Sequence, residues 1–326
     1  MLDKLISNFT PLDIEKLRTD GFYDNFFNSK KIDTERIERG SGWEECEECP
    51  ICGSRVQEIE FSYLNINIAR CPGCSHRYTD KVPMNFSEVY NSEEYSAAVE
   101  KLELQQKDYR ADRFGKERAE IAVQLFDNTD KAVLDVGCGW GYFLSHLKSR
   151  GFDCYGIELS KQVADFSRKQ YGLDILTVPI EEYDSGIEFD LITLFGVVEH
   201  IKDPISFLKH CRRLLRRGGF VLIFTPNFES IAVRIMLENA NMIYPGQHLH
   251  HFTCGSINET AARLQMSIYS YSTNGIDIGD ICTYYKYLNR NEVAAFLLEN
   301  AVMLQCVIDG SNCANHMRVI LQRTDD

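Results

Sequence analysis

The chain has 326 residues, 44% of them hydrophobic and 25% charged, enough for a main domain and a smaller one. Its formal net charge of −13 argues against nucleic acid as a partner, because phosphate binding needs clustered positive charge. No apolar run reaches the length needed to cross a membrane, and the N-terminus lacks a signal-peptide pattern. Twelve cysteines without such a signal predict a reducing, cytoplasmic setting in which thiols are metal ligands or core residues.

Residues 1–45 are polar with scattered aromatics and read as a helical segment. Then come Cys49-Pro50-Ile51-Cys52-Gly53 and, after eighteen intervening residues, Cys71-Pro72-Gly73-Cys74. C-x2-C-x18-C-x2-C is the spacing of a four-thiolate zinc ribbon, here over 46–80. Gly53 and Gly73 supply the turns of the two knuckles, and 57–70 alternates like a hairpin arm. The competing reading is four buried structural cysteines, and Cys46 and His76 are rival ligands. So small a ribbon cannot bury enough core to fold alone, so bound metal supplies folding energy. A closed four-sulfur shell leaves no open coordination position, which predicts a structural zinc. Residues 43–81 carry seven acidic and four basic side chains, so the ribbon is a poor reader of nucleic acid. Residues 81–130 read as an acidic, Tyr-rich linker with Tyr90 and Tyr95, then a long helix to about Asn128, weakened at Gly115.

The run Val133-Leu134-Asp135-Val136-Gly137-Cys138-Gly139-Trp140-Gly141 reads as an apolar strand entering glycines and then a helix. Alternate glycines let the backbone turn sharply and sit close to a ligand. Some twenty residues on, 154–157 ends in Glu158, a carboxylate placed to accept hydrogen bonds from ribose hydroxyls. A dinucleotide fingerprint, G-x-G-x-x-G, needs its third glycine at the position of Tyr142. The glycine comes one residue earlier, so no pyrophosphate-sized gap is specified. Ser160 is placed to cap a helix running to Tyr171, and 174–178 reads as a strand followed by Pro179-Ile180-Glu181. Residues 189–195 form the next strand, which ends in Gly196-Val197-Val198-Glu199-His200-Ile201. Asp203-Pro204 opens a helix with Phe207, Leu208, Cys211, Leu214 and Leu215 at helical spacing, and Gly218-Gly219 ends it. The one basic cluster, Arg212-Arg213 and Arg216-Arg217, falls on that helix and reads as a solvated face. Residues 220–225 are a fifth strand, 267–273 a sixth and 317–322 a seventh. Between them lie a lid-like connection, 227–255, and a helical insertion, 279–308. Strands alternating with helices imply an α/β fold built on a parallel, doubly wound sheet.

An acidic residue followed by G-x-G-x-G resembles the first motif of the class I S-adenosylmethionine (SAM)-dependent methyltransferases. The string FDLITLFGVVEHIKDP, with LLRRGGFVLIFTPN after it, resembles the ubiquinone-biosynthesis type of small-molecule methyltransferase, over roughly residues 115–270. The resemblance implies a Rossmann-like seven-stranded sheet with helices on both faces, in a domain spanning 131–326 whose last strand is antiparallel beside the fifth. It implies that Asp135, Gly137, Cys138, Gly139 and Gly141 receive the methionine portion of SAM. Glu158 takes the ribose, Leu159 lies on the adenine, and Ile180 and Glu181 lie near the adenine edge. Phe195 and Gly196 line the sulfonium with Glu199 and His200 beside it, although that pair also reads as a core-facing cap of the next helix. In such enzymes a helix covers the cofactor, which makes Tyr95, Tyr109 and Arg113 candidates for contact, with simple packing as the alternative.

Gln247-His248-Leu249-His250-His251-Phe252-Thr253 resembles an H-L-x-H-F-[ST] signature on the acceptor side of one branch. His248 or His251 reads as a general base or acceptor contact, as a structural hydrogen-bonding residue, or as a metal ligand. The expected activity is methylation of a small molecule or sugar, with a hydroxyl as the favoured acceptor. The alternatives are methylation of RNA or protein with the ribbon as reader, and a non-catalytic SAM-fold subunit. Intact Asp135, glycines and Glu158 argue against the last. The helical insertion lines an acceptor site or forms a homodimer surface.

Overall fold

The computed structural model describes residues 12–18, 21–40, 42–85, 108–184 and 186–324. The chain divides into two compact units. One takes Val99–Phe224, Thr260–Tyr271 and Val319–Asp326. The other takes Met1–Ala98, Thr225–Glu259 and Ser272–Arg318.

A seven-stranded sheet begins at β6 (Ala132–Val136), whose five residues are all buried, as a parallel strand covered on both faces must be. β6 pairs in parallel with β7 (Asp153–Ile157) on one side and β9 (Phe189–Phe195) on the other. β7 continues to β8 (Asp174–Leu176), and β9 to β10 (Leu215–Pro226). Beyond β10 come β13 (His316–Arg323) and then β12 (Met266–Asn274). The chain leaves β6 first toward β7 and β8 and later returns to β9, so the strand order reverses at β6. Open sheets of this kind bind ligands at the carboxyl ends of the strands at such a switch point. The core beneath is Val133, Leu144, Leu147, Leu191 and Leu222, all fully buried.

Local details depart from the sequence reading. Residue 95 lies outside the described segments. From residue 108 the chain is helical, widens into a π turn at Ala111–Gly115 and continues as α3 (Lys116–Val123). Gly115 does not break the helix. A Cβ there would lie 2.9 Å from the Tyr142 Cβ, so glycine permits close approach to α4 (Tyr142–Lys148). Ser160 precedes α5 (Lys161–Tyr171) but makes no side-chain cap; the Glu158 carboxylate takes the Ser160 amide instead. α6 (Pro204–Leu214) ends before the two glycines, and Arg216 and Arg217 belong to an irregular start of β10 rather than to the helix. Gly219 serves that strand: a Cβ would sit 3.2 Å from the carbonyl oxygens of Phe189 and Asp190.

The other unit gathers α1 (Ile14–Leu17), α2 (Phe22–Arg39), the ribbon strands, α7 (Ile231–Met236), the start of α8 (Cys254–Arg263) and the helices α9 (Asp277–Tyr287), α10 (Asn291–Glu299) and α11 (Ala301–Gly310). The ribbon holds β1 (Trp43–Glu45), β2 (Glu58–Tyr63), β3 (Ile66–Arg70), β4 (Arg77–Thr79) and β5 (Lys81–Pro83). Its hairpin β2–β3 and strand β4 are joined by β11 (His250–His251) in a four-stranded sheet of order β11-β4-β3-β2. Tyr23, Ile68, Phe228, Val233, Met236 and Ile281 form its core. Segments 46–80, 227–255 and 279–308 thus share one core, and linear boundaries at 45, 80 and 130 cut across it. The physical reason is the one anticipated for the ribbon: its apolar face is too small to bury itself.

Candidate active site and metal centre

The loop after β6 is shaped by three left-handed glycines, Gly137 (φ 71°), Gly139 (φ 52°) and Gly141 (φ 76°). A Cβ at Gly137 would lie 2.7 Å from Val197 Cγ2, and one at Gly141 2.7 Å from Leu173 Cδ1. At Gly139 a Cβ would meet nothing within 4 Å, so this glycine faces open space. The amides of Gly137 and Cys138 both donate to the Ile157 carbonyl, at 2.8 and 3.0 Å. Gly141 N donates to Cys138 O, and Gly139 N to Glu158 Oε2, each at 3.0 Å. All four donors are therefore engaged inside the fold. A phosphate cradle needs such amides aimed at the anion. These four amides are therefore not offered to an anion.

Asp135 stands at the end of β6, 2% exposed, and accepts a 2.7 Å hydrogen bond from Thr193 Oγ1. Burial pushes its carboxyl up to about 7, against the opposing pull of the Thr193 hydroxyl and the Arg118 charge. Arg118 is a site residue the sequence reading missed. It lies on α3 with its guanidinium 4.5 Å from the Phe195 ring centre and 5.6 Å from that of Phe114. The available signal was the i,i+4 pairing of Phe114 with Arg118 on one helix face. Arg113 instead pairs with Glu117 one turn on, and Tyr109 packs edge-on against Phe114.

Glu158 follows β7 and accepts from the amides of Gly139 and Ser160, while burial raises its pKa. Next to it Leu159 is 65% exposed, an apolar side chain left uncovered at the strand tips. Ile180 is buried and Glu181 exposed on a single 3-10 turn, Ile180–Glu182. Phe195 closes β9 and packs edge-on against Phe143 and Phe224 at 4.9 and 5.0 Å. Gly196 turns the chain at φ 72° toward the 3-10 turn Val198–His200. There Glu199 is buried, with its Oε1 3.9 Å from His200 Nε2. The pair does not cap α6; Asp203 does, accepting from the Ser206 amide at 2.9 Å. A buried carboxylate, an uncovered apolar side chain, a second carboxylate at a strand tip and an open glycine fit SAM, with its positive charge, adenine and ribose.

In the other unit, Cys49, Cys52, Cys71 and Cys74 converge, with every pair of sulfurs within 4.8 Å. Cys49 and Cys74 are 3.6 Å apart, and Cys52 and Cys71 3.4 Å. A tetrahedral zinc with bonds of about 2.3 Å needs sulfurs about 3.8 Å apart, so the set fits that ion. The two rivals are engaged elsewhere. Cys46 Sγ points to the Glu48 carbonyl, and His76 is fully buried with Nε2 3.2 Å from His250 Nδ1.

The histidine-rich segment is extended rather than helical. His250 and His251 pair with Tyr78 and Arg77 of β4, and each is 1% exposed. Burial holds the imidazoles of His76 and His251 well below the usual histidine pKa, so both are neutral. His251 Nε2 and His76 Nδ1 are buried without a hydrogen-bond partner. His248 is different: it is half-buried, and its Nδ1 contacts the Met242 carbonyl at 2.8 Å. A carbonyl only accepts, so Nδ1 carries the proton and Nε2 the basic lone pair.

A family model described as a methyltransferase domain matches residues 107–270, half of the chain. The ubiquinone biosynthesis O-methyltransferase of Hydrogenovibrio crunogenus is 26% identical over 188 residues, covering 54% of this chain and 78% of that protein. Its counterpart in Acinetobacter baylyi is 31% identical over 105 residues, covering 30% and 44%. The chain spans about half the length of several such relatives. Among solved structures, the plantazolicin methyltransferase BpumL, in complex with a monoazolic desmethylPZN analog and SAH, matches with a TM-score of 0.51 at 15% identity, covering 74% of this chain and 94% of that one. At that identity the likeness is one of fold. With the strand order, the glycine loop and the matched domain in agreement, the chain belongs to the class I SAM-dependent methyltransferases.

Proposed function

We propose that the chain transfers a methyl group from SAM to a hydroxyl of a small-molecule or sugar acceptor, and that the ribbon holds a structural zinc. The observation that carries the reading is the open face at Gly139 between the buried Asp135 and the amide-anchored Glu158. SAM supplies an electrophilic methyl and needs no redox partner. Asp135 and the backbone of Gly137, Cys138 and Gly139 hold the methionine end, with the Arg118 charge acting on Asp135. Glu158 has lone pairs left for the ribose hydroxyls, and Leu159 offers a face to the adenine. Phe195 and Gly196 keep water from the reacting centre, while alignment alone supplies about 7–11 kcal/mol at best. On the resemblance of its motif, His248 is assigned as the acceptor's general base, and Nε2 is its basic nitrogen because the Met242 carbonyl fixes the tautomer. His251, neutral and buried in the ribbon's sheet, is structural, and Glu199 and His200 shape the wall beside Gly196.

The names of the curated relatives support a small hydroxylated acceptor. The acidic balance of the chain and of the ribbon counts against RNA. The test is calorimetric titration with SAM and S-adenosylhomocysteine beside Glu158→Ala, with zinc content measured on the same sample. Micromolar binding, weakened tenfold or more by the substitution, is expected, followed by turnover in a screen of hydroxylated metabolites and nucleotide sugars. Absence of binding to zinc-loaded wild type overturns the reading.

A further inference from the structure

One face of α2 grips the segment that leads into His248. Lys30, Asp33 and Ile37 share that face of the helix, and all three are buried. Lys30 Nζ donates to the Glu238 carbonyl at 2.8 Å. Ile37 lies against Gly246, where a Cβ would come within 2.9 Å of the Ile37 Cδ1. Between them, Asp33 Oδ2 accepts from the Tyr244 hydroxyl at 2.6 Å and from Gln247 Nε2 at 2.9 Å. The other oxygen, Oδ1, faces Arg36 Nη2 at 3.3 Å. Burying a carboxyl is costly unless its hydrogen bonds offset the lost hydration, so these bonds hold the segment firmly.

Tyr244 and Gln247 bound the turn that delivers His248. The Tyr244 carbonyl accepts from the amides of Gln247 and His248, at 3.1 and 2.9 Å. The His248 ring then meets the Met242 carbonyl through Nδ1. Asp33 therefore holds the turn at both ends. We infer that Asp33 is a positioning residue for His248: it fixes the turn, and the turn fixes where the ring stands and which nitrogen carries the proton. The inference rests on the assignment of His248 as general base. A base works only within hydrogen-bond reach of the proton it takes, so a group that sets its place also sets the rate. Without the Asp33 carboxyl, Tyr244 and Gln247 lose a shared acceptor. The turn then relaxes, and water competes with the Met242 carbonyl for Nδ1.

Nitrogen NMR of the full chain with labelled histidine, in alkaline buffer, tests the hold directly and needs no acceptor. Wild type should show His248 protonated at Nδ1, and Asp33→Ala should give a mixture of both tautomers. Asp33→Asn, whose amide oxygen can still accept from both donors, should restore the wild-type signal. Tyr244→Phe, which removes only one of the two donors, should move the signal the same way by less, and it serves if Asp33→Ala does not fold. With an acceptor found in the screen above, Asp33→Ala should lower kcat about 10- to 10²-fold, the effect of a misplaced group. In a His248→Gln background it should add less than about twofold, because residues that act through one another are not additive. An unchanged Nδ1–H signal in folded Asp33→Ala overturns the inference, and so does an equal loss of kcat with and without His248. Turnover indifferent to His248→Gln alone overturns the base assignment instead.

Discussion

The glycine loop after β6 and the four-sulfur knuckles both set tight turns in place, and they do so by opposite means. In the loop the amides of Gly137, Cys138, Gly139 and Gly141 are satisfied by the fold itself, and β6 beneath is fully buried. The cleft is therefore preformed, and a ligand adds contacts to a finished shape. In the ribbon, short strands surround four sulfurs that repel one another once ionised. The Cys74 thiol at 3.6 Å holds Cys49 down to about 5, and that thiolate in turn drives the Cys74 thiol upward. On the proposed reading a zinc ion supplies the charge that lets all four sulfurs ionise, and the ribbon is finished only when metal arrives. One chain would then carry both a rigid site and a conditional one.

Removing the metal should break the comparison most visibly. Structural zinc sites contribute apparent binding energies of about 10–16 kcal/mol to folding. A chelator, or Cys71→Ser, should abolish the folded signal of the ribbon's hairpin by NMR and lower the melting temperature. The seven-stranded sheet should keep most of its circular dichroism. Equal loss of both would show that the two regions are not independent.

His248→Gln should lower kcat about 10²- to 10⁴-fold with SAM affinity unchanged, as expected for loss of a general base. A fall of less than tenfold would return this residue to a structural role.

The glycines sharpen the contrast within the loop. Gly137→Ala forces a Cβ to 2.7 Å from Val197 Cγ2 at φ 71°, and should cost about 1–3 kcal/mol of stability. Gly139→Ala meets open space and should cost about 1 kcal/mol from its backbone angle alone, while weakening SAM binding. Denaturant titration paired with calorimetry separates the two effects. Similar stability losses at both positions would remove the case for an open face at Gly139.

The smallest effect is one of pH. Burial raises Asp135 to about 7, so the folded chain holds a proton that the unfolded chain has already released. Without ligand, stability should therefore fall as pH rises from the ordinary carboxylate range toward 7. SAM, being cationic, should bind more tightly over the same rise, by at most tenfold per unit, and Asp135→Asn should flatten that dependence. A flat profile in the wild type would mean that Asp135 is ionised throughout.

Much of this was legible before any coordinates. The order of strands, Asp135, Glu158 and the cysteine spacing each rest on local chemistry: apolar runs, turn glycines, paired thiols. What was not legible depended on distant partners. Gly218-Gly219 looks like a helix stop, yet Gly219 is needed by the carbonyls of Phe189 and Asp190. Gly115 looks like a break, yet it admits Tyr142. Ser160 looks like a cap, yet the Glu158 carboxylate takes that amide. Arg118 matters only once Asp135 and Phe195 are beside it. The histidine motif reads as lid chemistry, and only the pairing of β11 with β4 shows two of its members to be part of the ribbon's sheet.

That pairing joins Tyr78 to His250, 172 residues later in the chain (250 − 78). During synthesis at about 5–20 residues per second, the outer edge of β4 waits about 10–30 seconds for its neighbour. An unpaired strand edge is a template for wrong partners. Cys74 emerges before that wait begins, so metal capture can rigidify the knuckles while the edge is still bare. If the knuckles hold the proposed zinc, its supply during translation, rather than in the finished protein, sets how much chain is lost to aggregation.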